Sequence, residues 1–232
     1  MNKSIQSDKI LKNNNMKIQI KILIFIAVLL VTCFIFHNIN AQDFKTVKIG
    51  EQVWMAENLN IHYYRNGDPI PEAKTNDEWE QYNKENKGCW CYYNYDSANG
   101  KKYGRLYNWL AVNDSRGLAP TGWHIPSLLE LTNLINFSGG SKLAGVTLKD
   151  TSFQCNNSFG ATNLYGFSVL GGGILSKKDF FKFEGIDYKA YFWSTNGGSD
   201  FATCIMFTCE SLSTGGFIFS QFYGLSLRCI KD

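Results

Sequence analysis

Cysteines, histidines and a tyrosine-rich run are the residues of this chain best suited to chemistry. From Gln42 onward there are six cysteines, Cys89, Cys91, Cys155, Cys204, Cys209 and Cys229, and two histidines, His62 and His124. Thiolates and imidazoles together can hold zinc, but no Cys-x-x-Cys pair is present, so no metal centre is expected. In an exported chain an even cysteine count points to disulfides, and sequence cannot choose among the possible pairings. Cys89 and Cys91 are two residues apart, so on a strand their side chains face opposite ways and would find different partners.

Catalytic templates fail in turn. There is no Gly-x-Ser-x-Gly elbow, no phosphate-cradling Gly-Lys-Ser/Thr loop and no His-Glu-x-x-His. A glycosidase needs two carboxylates that are close only in space, and nothing in the sequence singles out such a pair. No cofactor is expected. The densest aromatic and polar cluster is Tyr92-Tyr93-Asn94-Tyr95-Asp96. An apolar ring flanked by hydrogen-bonding groups is what a pyranose requires, so Tyr93, Asn94 and Asp96 are candidate ligand-binding residues. Asn196, three residues after Trp193, is a fourth candidate on the same grounds. Trp123 and Trp193 are expected in the core and His124 in a local hydrogen bond. Asp68, Asp96 and Asp200 fall in turns without an Asp-x-Asp-x-Asp-Gly loop, and read as solvated turn residues rather than calcium ligands.

The elements that must position these groups are short. Phe44 to Ile49 and Val53 to Met55 flank a Gly-containing turn and predict a hairpin. Asn66-Gly67-Asp68-Pro69 is a turn signal, and Asn76 followed by acids predicts a short helix ending near Gly88. Cys89 to Tyr95 reads as a strand, whereas Leu106 to Val112 could be strand or helix. Ser127-Leu128-Leu129-Glu130 is a capping box opening a helix, with Leu128, Leu131, Leu134 and Ile135 at helical spacing and Gly139-Gly140 as its stop. Beyond Lys142, strands are expected at Gly166–Gly171, Tyr191–Ser194, Ala202–Thr208, Gly216–Phe222 and Leu225–Ile230. No internal repeat or low-complexity linker appears, so the expectation is one α+β domain of short antiparallel strands, two short helices and long loops.

Residues 1–41 have the form of an export signal. Lys17 and Lys21 precede an apolar run from Ile22 to Phe36, and Ala41 offers a small residue at a cleavage point. The run is short for a spanning helix, so contact with the membrane is expected only during export. Translation starting at Met16 would give a more usual signal length. Cys33 as a lipidation site is disfavoured by Thr32 before it and by the apolar residues that follow. Residues 42–232 then carry 18 Lys and Arg against 19 Asp and Glu, a formal charge of −1. With no basic stripe left, nucleic acid is an unsuitable partner.

Several phrases in fixed order resemble the Fibrobacter succinogenes major paralogous domain family of exported bacterial proteins. They are Val53-Trp54-Met55-Ala56-Glu57-Asn58-Leu59, Asn66-Gly67-Asp68-Pro69-Ile70, Cys91-Tyr92-Tyr93-Asn94, Tyr107-Asn108-Trp109, Gly122-Trp123-His124, Gly166-Phe167-Ser168, Trp193-Ser194 and Arg228-Cys229. The chain departs from the family at Leu131, where Trp is usual, at Gly171-Gly172-Gly173 in place of Pro-Gly-Gly, and at Ala119, where many members have Cys. The resemblance implies a C-type-lectin-like architecture, related to the formylglycine-generating sulfatase modifiers. That enzyme branch has a second Cys five residues before the terminal one, at a position occupied here by Gly224. The expectation is therefore a secreted or cell-surface domain without catalysis that binds a glycan or a protein. A secreted polysaccharide hydrolase is the alternative.

Overall fold

The computed structural model describes residues 16–28, 44–153 and 160–232. Residues 16–28 form a helix with exposed side chains, and no described helix is long and apolar enough to cross a membrane. Cys33, the cleavage point at Ala41 and Cys155 lie outside the described residues.

From Phe44 onward the chain alternates short strands with single helical turns. The expected hairpin forms from β1 (Thr46–Ile49) and β2 (Gln52–Met55), with Gly50 at φ +60° in the turn. Helix α1 (Asn76–Lys84) is capped by Thr75, whose hydroxyl accepts from the Glu78 amide, so the cap falls one residue earlier than expected. Only β3 (Trp90–Cys91) is a strand in the run read as Cys89 to Tyr95. Asn94 and Tyr95 adopt positive φ and turn the chain into a single 3₁₀ turn, Tyr93–Tyr95. Leu106 to Val112 is both things at once. It is β4 (Leu106–Tyr107), then one helical turn, Trp109–Val112, capped by Asn108.

After β5 (Trp123–His124) comes α2 (Leu128–Phe137), and both hydrogen bonds of the Ser127–Glu130 capping box are present. Two strands follow where none was expected, β6 (Gly172–Lys177) and β7 (Phe181–Ile186). The stretch Gly166–Gly171, read as a strand, contributes one isolated bridge, Lys149 to Val169. Then come β8 (Lys189–Gly197), β9 (Phe201–Thr208), β10 (Gly215–Ser220) and β11 (Ile230–Lys231). Leu225 and Ser226, expected in a continuous last strand, make single bridges to Tyr107 and Phe192.

Two main sheets result. One has the order β1-β2-β11-β5 and the other β10-β9-β8-β6-β7, with β3-β4 as a separate pair. All pairings are antiparallel except β6 with β8. The result is a mixed α+β domain with few short helices.

Tryptophans fill the space between these layers, and their polar edges are used. The indole N–H of Trp193 donates to the Tyr107 carbonyl at 2.9 Å, that of Trp109 to Ser194 at 3.0 Å, that of Trp79 to Phe222 at 2.9 Å and that of Trp90 to Ile70 at 2.9 Å. Each ring buries apolar area worth about 1.5–3 kcal/mol, and its N–H is satisfied by a backbone carbonyl distant in sequence. Trp123 is 8% exposed and packs in the same core as Trp109, as expected.

Candidate functional site

The predicted ligand-binding residues are not brought together into one described contact. Tyr93 is 6% exposed and packs on Phe183 at 5.0 Å. Asn94 is exposed, and Asp96 accepts from the Ala98 amide as cap of the next turn. Asn196 is also exposed, but its side-chain oxygen accepts from the Leu128 amide at 2.7 Å. Asn196 thus serves the N-terminus of α2, away from the Tyr93 turn in the chain of contacts. Trp193 is fully buried, as expected.

The cysteines depart from expectation more sharply. Cys89, Cys91, Cys204 and Cys229 are free and buried, with burial raising each thiol's pKa. The disulfides expected at these four positions are not formed; they pack as small apolar side chains in two cores. Cys209 stands outside this set as disulfide-bonded. No group of three or more potential metal ligands occurs among the described residues.

One cluster has the outline of a catalytic relay. His124 Nδ1 lies 2.7 Å from Asp232 Oδ1, and its Nε2 lies 2.9 Å from Glu130 Oε1. Glu130 Oε2 accepts from the Ser127 amide at 2.7 Å and from its hydroxyl at 2.8 Å. Partial desolvation lowers the imidazole pKa, but the hydrogen bonds to Glu130 and Asp232 outweigh it, so the net shift is upward. A general base must offer one ring nitrogen to its substrate. Here both nitrogens are occupied, and the cluster ties β5, the start of α2 and Asp232 together.

A cleft of about 470 Å³ opens among the described residues. Helix α1 contributes Glu80, Asn83 and Lys84 from its C-terminal half. The β6–β7 hairpin contributes Lys177, Lys178 and Phe181, and the turn after β10 contributes Phe222 and Tyr223. Trp79 and Asn83 anchor this third wall, since both donate to the Phe222 carbonyl. The Tyr223 hydroxyl donates to the Lys177 carbonyl at 2.7 Å, locking the third wall to the second.

Charge in the cleft is unequal. Glu80 is its only carboxylate among the described residues and is held by Lys177 at 2.9 Å and Lys84 at 3.5 Å. The Lys177 hydrogen bond keeps the Glu80 pKa below its ordinary range. Lys177 also lies 5.0 Å above the Phe181 ring. Sequence reasoning missed this cleft because its second wall is the unpredicted hairpin.

The fold is thus a mixed α+β domain with a polar-aromatic cleft on its surface. The chain belongs to the Fibrobacter succinogenes major domain family, whose model matches residues 47–231. No curated protein and no solved structure gave a match.

Proposed function

We propose that the protein is an exported bacterial recognition domain of C-type-lectin-like architecture, without catalysis, that binds a glycan or a protein at the cell surface. One observation carries this. The cleft sets the Phe181, Phe222 and Tyr223 rings beside three lysines and the Asn86 amide, while Glu80, its one acid among the described residues, is neutralised by Lys84 and Lys177. Rings with flanking hydrogen-bond groups suit recognition of a sugar. A hydrolytic pair needs two carboxylates facing one bond, one of them protonated, and a salt-bridged glutamate holds its proton poorly.

Two further features agree. Gly224, where the resembled modifying enzymes have a second cysteine, meets the Trp79 ring; a Cβ there would sit 3.1 Å from it. The basic residues and apolar run before Ala41 fit export, and they favour a surface or secreted address.

A glycan array probed with the full chain, paired with a reducing-end assay on every sugar that binds, tests the proposal. Binding without release of new reducing ends is expected. Turnover abolished by a single carboxylate substitution would establish a hydrolase instead.

A further inference from the structure

Resting on that recognition role, we propose that the cleft between α1, the β6–β7 hairpin and the turn after β10 takes an anionic saccharide bearing carboxylate or sulfate groups. Three lysines and one glutamate line it, leaving a formal +2, whereas residues 42–232 as a whole carry −1. The excess is local and is not a by-product of a basic protein. Lys178 is exposed and makes no ion pair with any described carboxylate, and the Lys84 side chain is 73% exposed. The Lys178 ammonium is free to meet a ligand, and Lys84 has only a solvent-exposed pair with Glu80, at 3.5 Å, to give up. Glu80, by contrast, holds Lys177 in place over Phe181.

The sugar part of the assignment comes from the remaining wall. Phe222 is partly buried: it packs against the apolar core that contains Trp79 and Phe181 but forms no close ring pair among the described residues, although the nearby rings pair extensively. An apolar ring left half open beside hydrogen-bonding groups is a surface on which the C–H face of a pyranose can lie. Asn83 is not available for binding. Its amide donates to Phe222 and accepts from Asn108, so it builds the wall.

Two competing occupants fit less well. Condensed phosphates favour helix N-termini with free amides, and α1 presents its C-terminal half here. An acidic peptide adding to the sheet would need the open backbone of β7 at the cleft, but Asn76 already donates to the Phe181 carbonyl at 2.9 Å. The cleft volume, about 470 Å³, matches a short oligosaccharide.

Calorimetric titration of the full chain decides this, using oligogalacturonate, a sulfated dextran oligomer, a neutral cello-oligosaccharide and polyglutamate as probes. At least one anionic saccharide is expected to bind about tenfold or more tighter than the neutral one, with affinity falling as NaCl rises from about 50 to 500 mM. Preference between the uronate and the sulfated probe identifies the source of the anion. The Lys84→Gln/Lys178→Gln variant should lose about tenfold towards the anionic sugar and little towards the neutral one, while Phe222→Ala weakens both. Both lysines are exposed, so an unchanged melting temperature serves as the folding control. Equal binding of neutral and anionic sugars overturns the charge assignment but leaves glycan recognition standing. Polyglutamate binding as tightly as any sugar overturns the sugar assignment. Failure of every saccharide probe overturns this proposal, and the glycan array then decides whether glycan recognition falls with it.

Discussion

Arg228 shows how a single residue ties together distant parts of this sequence. It is 1% exposed, and its guanidinium donates to Asn58 at 3.0 Å and to the backbone carbonyls of Phe167 and Ser168. The Phe167 ring lies 4.4 Å away. Three of the phrases that carry the family resemblance, around Asn58, Phe167 and Arg228, thus meet at one cation. A buried cation without a carboxylate partner is tolerated only because every face is occupied by an acceptor or a ring. Arg228→Met should therefore cost about 3 kcal/mol or more in urea unfolding, because three acceptors lose their donor at once. A cost under about 1 kcal/mol would mean that the cluster is not organised around the guanidinium.

His124 gives a pH dependence at the same scale. Its pKa is raised in the folded chain, so the native state favours the protonated ring. The associated stability is complete below about pH 6.5, the unfolded value, and is lost as pH rises through the higher folded value. The side chain is 39% exposed, so solvent screening keeps the effect to about 1 kcal/mol or less. His124→Gln should flatten the stability profile in that window. An unchanged slope in the variant would assign the pH dependence elsewhere.

Among the elements, the β6–β7 hairpin positions most and was least visible beforehand. Phe181 and Phe183 alternate with Lys182 and Glu184, a period of two that marks a strand, yet the preceding glycines masked its partner. Gly173 explains why glycine is needed there. It has φ +69°, and an added Cβ would lie 2.5 Å from the Tyr93 ring. Gly173→Ala should destabilise by about 2 kcal/mol or more and loosen the Tyr93–Tyr95 turn, which near-ultraviolet circular dichroism would report. By contrast, α2 was legible, because a capping box and an apolar stripe are local signals. Strand Cys89–Tyr95 was over-read because Asn94 and Tyr95 take left-handed backbone angles that composition does not announce.

At the scale of the molecule, the same contrast separates scaffold from site. Tryptophan burial, the first hairpin and the α+β class followed from residue types and spacing. The cleft did not, since Glu80, Lys177 and Phe222 lie far apart in sequence and meet only through tertiary packing. Cysteine pairing was misjudged for a related reason. An even count says nothing about whether buried positions face one another, and here four of them fill apolar space. Alkylation of the denatured, unreduced protein followed by peptide mapping should label Cys89, Cys91, Cys204 and Cys229, while the native protein stays unlabelled at these sites. Any of the four protected in the denatured, unreduced sample would show a disulfide at that position.

A non-catalytic recognition cleft stands or falls on where a bound glycan touches the chain and on its leaving intact. Hydrogen exchange with and without the tightest-binding glycan from the array measures this most directly. Protection concentrated in residues 80–86, 177–181 and 220–223, with the glycan recovered intact, is the predicted result. Protection confined to residues 93–96 and 196, or a shortened glycan, would contradict it.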